Sequence, residues 1–183
     1  MRVITGFAKG RKLKEPKNMD IRPTSDMVKE AVFSIIQFDI EGRTVLDLFA
    51  GTGQLGIEAL SRGAKSCVFV DENREAIAIT RENIAHCKLE NASVIQTESL
   101  GYLERAGKFD LIFIDPPYDS GLCDKALHKI FKFDILTDGG IILCESRQDK
   151  PVNDAKAPYF FRREYTYGKT KLTVYCRQEG IVG

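Results

Sequence analysis

The stretch from Thr44 to Leu60 constrains the fold more than any other. Thr44-Val45-Leu46-Asp47-Leu48-Phe49 is short and largely apolar, the pattern of a buried strand. Ala50-Gly51-Thr52-Gly53-Gln54-Leu55-Gly56 follows, then a helical run through Leu60. This is G-x-G-x-x-G between a strand and a helix, the setting that the motif requires. Its glycines permit a tight turn and let a ligand approach the backbone closely. Asp71 closes the next apolar run, Cys67-Val68-Phe69-Val70, about 20 residues after the first glycine, where an acid can bind ribose hydroxyls.

From Thr44 onward strands at 44–49, 66–70, 93–96, 109–114 and 140–145 alternate with helices at 53–62, 74–87, 99–105 and 121–132. This rhythm predicts an α/β fold, a mainly parallel sheet with helices on both faces. Ligands of such sheets lie outside the carboxyl ends of the strands, so Asp47, Asp71, Glu98 and Asp115 should share one rim. The rhythm breaks at the tail. Two β-like runs, about 159–166 and 171–177, meet at Tyr167-Gly168-Lys169-Thr170 with no helix between them, which predicts an antiparallel hairpin at the sheet edge. At the other end, Arg2–Gly6 and Arg11–Leu13 read as a short hairpin around Ala8-Lys9-Gly10. Arg22-Pro23-Thr24 leads into a helix capped by Thr24 or Ser25, with Val28, Ala31, Val32, Ile35 and Ile36 forming its apolar stripe.

Asp115-Pro116-Pro117-Tyr118 stands directly after the apolar run 109–114. Two prolines cannot continue a strand and have no N–H to give, so the chain leaves the sheet with fixed φ and carbonyls available. The rim so formed carries a carboxylate, backbone acceptors and an aromatic ring. It suits the exocyclic amine of a nucleobase, whose hydrogens need acceptors and whose ring needs a stacking partner. The glycine fingerprint alone also admits a nicotinamide dinucleotide, but Asp47 would repel the pyrophosphate. S-adenosylmethionine carries an ammonium and a sulfonium and no phosphate, and Asp47 suits the ammonium. The order Asp47, glycine loop, Asp71, Asp115-Pro116-Pro117-Tyr118 therefore favours a methyl donor.

Charge and cysteine usage narrow the setting. Residues 1–22 hold 7 Lys/Arg against 2 Asp/Glu, residues 147–177 hold 8 against 3, and residues 23–146 hold 12 against 20. Two basic ends thus flank an acidic middle, and the dense set Lys9, Arg11, Lys12, Lys14 and Lys17 suggests phosphate contacts. Cysteines 67, 87, 123, 144 and 176 are odd in number, scattered and without a C-x-x-C pair, which points to reduced thiols in a cytoplasm rather than disulfides or zinc. With His86 and His128 as the only histidines, a histidine-based metal or triad site is not expected. No membrane span or signal-peptide core is apparent. At 183 residues one domain is expected, with 1–22 as a basic extension on a catalytic core 23–183.

These residues resemble the class I S-adenosylmethionine-dependent methyltransferases, and more narrowly the bacterial 16S ribosomal RNA guanine-N2 methyltransferase family. The likeness is carried by Gly10-Arg11-Lys12-Leu13, Arg22-Pro23-Thr24-Ser25-Asp26, the stretch from Asp47 to Ala64, Phe109 through Tyr118, and Tyr167-Gly168-Lys169. It runs almost end to end. It implies a Rossmann-like fold with a seven-stranded sheet, a C-terminal antiparallel hairpin and an N-terminal hairpin extension. It also implies Asp115, Pro116, Pro117 and Tyr118 as catalytic residues, and Asp47, Phe49, Gly51, Gly53, Asp71, Glu98 and Ser99 as residues binding S-adenosylmethionine. Lys9, Arg11, Lys12, Arg22 and Lys169 would contact RNA, either small-subunit rRNA or an assembling small ribosomal particle, with the protein a monomer free of metal. Two positions depart from the family pattern: Asp71 where relatives often carry glutamate, and Glu98-Ser99 where they usually show Asp-Ala. The segment 146–158 matches no pattern. A DNA adenine-N6 methyltransferase would need the same rim, although no separate target-recognition domain is evident. A nucleic-acid-binding module that keeps the fold and a nicotinamide oxidoreductase are the remaining alternatives.

Overall fold

Apolar runs separated by amphipathic helices fold into a seven-stranded sheet covered on both faces. The structure is a computed structural model in which residues 1–17, 25–151 and 153–178 are described. Chain order is α1 (Asp26–Ile35), β1 (Thr44–Asp47), α2 (Gln54–Ser61), β2 (Ser66–Asp71), α3 (Arg74–Cys87), β3 (Ala92–Gln96), α4 (Ser99–Leu103), β4 (Phe109–Ile114), α5 (Leu122–Phe133), β5 (Leu136–Arg147), β6 (Tyr159–Tyr167) and β7 (Thr170–Arg177). The strands lie in the order β3-β2-β1-β4-β5-β7-β6. β1 to β5 pair in parallel, whereas β7 runs antiparallel to both β5 and β6. The sheet and its terminal hairpin are those the sequence predicts.

Alternation along the strands sorts the core into two layers. Val45, Phe69, Leu111, Phe113, Ile141 and Leu143 face α1, α2 and α3, while Leu46, Val70, Ile112, Ile114 and Ile142 face α4 and α5. α1 is capped by Ser25, whose Oγ accepts from the Val28 N–H at 3.2 Å. Thr24, the other expected cap, lies outside the described residues. Gly56 of α2 has no room for a side chain, because a Cβ there would come within 2.3 Å of the Phe69 ring. The third glycine of the fingerprint therefore lets α2 press onto β2.

The N-terminal arms pair as a minimal form of the expected hairpin, antiparallel at one bridge, Arg2 to Lys12. Val3 donates its N–H to the Arg11 carbonyl at 3.0 Å, Leu13 to that of Met1 at 3.1 Å and Gly10 to that of Val3 at 2.8 Å. Other donors of the segment turn to α2. Ile4 and Thr5 donate their N–H groups to Glu58 at 2.8 and 2.9 Å, and Ala8 donates to Ser61 Oγ at 2.9 Å. Val3, Ala8 and Leu13 are buried in the same layer as α1. Glu58 is fully buried and also meets Arg62 Nε at 2.9 Å and Lys29 Nζ at 3.7 Å. This basic-looking segment is bolted into the core.

Candidate active site

Asp47, Asp71 and Glu145 end up on the same sheet face, each continuing the row of side chains beneath α1 to α3. Asp115 follows β4, and the pairing of Ile114 with Cys144 sets it level with Glu145 on the neighbouring strand. Between these strand ends and the glycine loop lies a cleft of about 510 Å³. It is lined by Asp47, Phe49, Gly51, Asp71, Glu98, Ser99 and the whole of Asp115-Pro116-Pro117-Tyr118. That volume falls within the range of small-ligand pockets. The lining carries six carboxylates (Asp47, Asp71, Glu72, Glu98, Asp115, Glu145) and, among the described residues, no Lys or Arg. A cationic ligand suits such a cleft, and a pyrophosphate does not.

Asp47 is 2% exposed and its Oδ2 accepts from the Gly56 N–H at 3.0 Å. Burial pushes its carboxyl up to about 7, and the nearby charges of Asp115 and Asp71 add to the rise against the Gly56 bond. Asp71 straps the glycine loop to β2. Its Oδ2 accepts from the Gly51 N–H and its Oδ1 from the Asn73 N–H, both at 2.8 Å. A carboxylate has about four acceptor sites, so these bonds leave capacity for hydroxyl donors.

The other expected cofactor residues divide. Phe49 is half-buried in the cleft wall, and Ser99 anchors α4 by donating its hydroxyl to the Leu48 carbonyl at 2.7 Å. Glu98 caps its own helix, its two oxygens accepting from the Leu100 and Gly101 N–H groups at 2.9 and 2.6 Å. It borders the cleft while held by α4. Gly53 does not line the cleft. It caps α2 at φ 83°, and a Cβ there would sit 2.8 Å from the Thr80 methyl, so this glycine serves the turn and its packing.

The rim after β4 is held from two sides. The Tyr118 hydroxyl donates to Glu145 Oε1 at 2.9 Å, and Thr170 Oγ1 lies 2.9 Å away. A hydroxyl has one hydrogen, so Thr170 is the donor in the second bond. The Ser120 hydroxyl donates to the Pro117 carbonyl at 2.7 Å. Ser146, Arg147, Lys150, Pro151 and Asn153 line a smaller cavity of about 80 Å³ behind the rim. Arg147 pairs there with Asp119 and Asp149, both at 3.1 Å, and Asn153 donates its N–H to the Tyr175 hydroxyl at 3.1 Å. The segment without a sequence pattern thus supports the rim.

The expected RNA contacts lie outside the cleft. Lys9 and Lys12 are exposed, and Arg11 donates to the His86 carbonyl at the end of α3. Lys169 is exposed in the β6–β7 turn, beside Thr170. Arg22 lies outside the described residues. Sequence reasoning missed Gln54, Glu72 and Glu145 as lining residues. For Glu145 the signal was present, since it closes an apolar run at a strand's carboxyl end. Among the described residues no cluster of His, Cys, Asp or Glu is arranged to hold a metal, and no helix is long and apolar enough to cross a membrane.

Residues 1–176 match the family described as "Conserved hypothetical protein 95". The chain is 38% identical over 183 residues to "Putative rRNA methyltransferase YlbH" of Bacillus subtilis, covering 97% of this chain and 100% of that one. It is 31% identical over 179 residues to "Ribosomal RNA small subunit methyltransferase D" of Escherichia coli K12, covering 97% and 90%. The solved structure titled "Putative methyltransferase yhhF from Escherichia coli" superposes with a TM-score of 0.86 at 31% identity, over 98% of this chain and 99% of that chain. The fold is that of the class I methyltransferases.

Proposed function

Because the chain belongs to the family described as conserved hypothetical protein 95, we propose that it is an S-adenosylmethionine-dependent methyltransferase acting on the exocyclic N2 amine of a guanine in small-subunit ribosomal RNA. One observation carries the reading: a buried strand-end acid, Asp47, and the Asp115-Pro116-Pro117-Tyr118 rim face a single acidic cleft. The names of the relatives support the rRNA substrate. The donor fits the residues present. Asp47 would meet its ammonium, Asp71 the ribose hydroxyls, and Phe49, Glu98 and Ser99 the base end of the cleft. When bound, S-adenosylmethionine supplies an electrophilic methyl group.

The chain's own residues prepare the acceptor. The lone pair of the guanine amine is delocalised into the ring, which makes the nitrogen a poor nucleophile. The Asp115 carboxylate and the Pro116 carbonyl accept its two hydrogens, direct the lone pair toward the methyl group and stabilise the charge that develops on nitrogen. Tyr118 stacks on the base once it has left its neighbours. Much of the acceleration comes from holding the reacting atoms in line. Lys9, Arg11, Lys12, Arg22 and Lys169 hold RNA phosphates.

A single-turnover assay of Asp115→Ala on small ribosomal particles tests this reading. Transfer should fall at least about 100-fold, the scale of losing one preorganised polar partner, with donor affinity nearly unchanged. Transfer at the wild-type rate would remove Asp115 from the chemistry, and a wild-type protein inert on rRNA would overturn the function.

A further inference from the structure

We propose that one face of the edge strand β6 is a docking surface for single-stranded RNA, which it leads to the Asp115-Pro116-Pro117-Tyr118 rim. This rests on the rRNA reading above and deepens it. Residues paired across strands share a sheet face. Phe160, Arg163, Tyr165 and Tyr167 pair with Cys176, Val174, Leu172 and Thr170 of β7. Cys176, Val174 and Leu172 are buried in the layer beneath α1, whereas their β6 partners are less covered. Phe160 is 40% exposed, Arg163 is exposed and the two tyrosines are half-buried. The Arg163 guanidinium lies over the Tyr165 ring, 5.4 Å from its centre. Arg162, the extra residue of a bulge between Phe161 and Arg163, turns to the same face, its Nη1 4.0 Å from Cys176 Sγ.

Charge decides what such a face can receive. Among the described residues neither arginine is paired with a carboxylate. Glu164, the one acid of β6, pairs with Thr173 on the opposite face and meets Lys171 there at 3.9 Å. Rings interleaved with cations, and no acid among them, suit a single-stranded nucleic acid: bases stack on the rings and phosphates meet the guanidiniums. The sheet already holds the row in place, so binding orders little. A protein strand fits this edge less well, because the bulge and the adjoining arginines obstruct strand addition. The row also leads to the chemistry. Beyond Tyr167 the turn carries the exposed Lys169 and then Thr170, whose Oγ1 lies 2.9 Å from the Tyr118 hydroxyl. RNA lying along β6 from Phe160 toward Lys169 therefore arrives at the rim.

Ultraviolet crosslinking of the wild-type protein to small-subunit rRNA and to its assembled particle, with the joined peptides mapped, tests this without any variant. Peptides of β6 should be joined to RNA. Crosslinks from β6 to a protein of the particle, or RNA crosslinks that omit β6, would overturn the proposal. Kinetics on whichever substrate is methylated supply a second arm. Arg163→Ala and Tyr165→Ala should each raise its KM at least about fivefold, the scale of one lost stacking contact, with kcat and donor affinity kept. Arg163→Ala should also make the salt dependence of RNA affinity shallower by about one unit, and Arg163→Lys should restore that slope. Thr166→Ala, on the other face of the strand, should match the wild type. Arg163 is a surface residue, so a folded Arg163→Ala with the wild-type KM would overturn the proposal alone. A wild-type protein that methylates neither substrate would overturn the parent reading as well, which separates the two failures.

Discussion

Asp47 carries a conflict that a cationic ligand would resolve. Its carboxyl is sealed under the glycine loop near Asp71 and Asp115, and burial first, then those charges, lift it from 3.8 to about 7. The unfolded chain ionises this group near its ordinary value, so between about pH 4 and pH 7 the folded protein binds more protons than the unfolded one. Its contribution to stability is therefore favourable in acid and declines as pH rises through that window. Asp47→Asn removes the decline and keeps an oxygen for the Gly56 N–H. The variant free of ligand should be more stable at pH 8 by roughly 1–2 kcal/mol, a rise in Tm of about 2–8 °C. An ammonium beside Asp47 reverses the preference and draws off its proton. S-adenosylmethionine affinity should thus weaken about tenfold between pH 7.5 and pH 6 in the wild type and lose that dependence in Asp47→Asn. Thermal melts and calorimetric titrations at several pH values check both. A variant as pH-sensitive as the parent would exclude Asp47 as the ammonium partner.

At the scale of elements, the N-terminal segment and α2 behave as one unit joined through Glu58. This carboxylate satisfies two backbone N–H groups of the segment, the Arg62 guanidinium and the wholly buried Lys29. Burial lowers the Lys29 pKa, and Glu58 is the largest influence holding it up. Glu58→Ala strips partners from all of them at once and should cost about 3–5 kcal/mol in urea unfolding. By contrast, Glu82→Ala breaks an ion pair whose members are 51% and 56% exposed and should cost under about 1 kcal/mol. Similar losses in the two variants would show that Glu58 is not the joint. Nothing in the sequence marked this hub. Periodicity identified the buried stripe of α1, but it says nothing of Lys29 and Glu58, because their pairing depends on contacts between residues 29 positions apart. The same limit applies to the N-terminal arms: their pairing was legible in Arg2–Gly6 and Arg11–Leu13, and only the packed structure shows that Ile4, Thr5 and Ala8 bond to α2. The alternation of strands and helices, the terminal hairpin and the rim were legible since they follow from local pattern and from the rule that strand ends hold ligands. Gly53 and Glu98 lay beyond that rule, which locates a residue near a site without saying where its side chain turns.

For the whole molecule, the charge pattern and the cleft divide the labour. The cleft is acidic and suits a cationic donor, whereas Lys9, Lys12 and Lys169 stand exposed outside it, where a polyanion can lie across the surface. The seven-stranded sheet brings acids from β1, β2, β4 and β5 to one edge, and the antiparallel β7 contributes Thr170 to hold Tyr118 in the rim. On the proposed reading, cofactor pocket, acceptor rim and phosphate contacts act from separate elements of one chain. Transfer of labelled methyl from S-adenosylmethionine to unmodified small-subunit rRNA, to its assembled particle and to DNA, followed by nucleoside analysis, tests this account most directly. The expected result is label in N2-methylguanosine from rRNA or particle and none from DNA. Label in N6-methyladenine of DNA, or none in any substrate while the donor still binds, would contradict it.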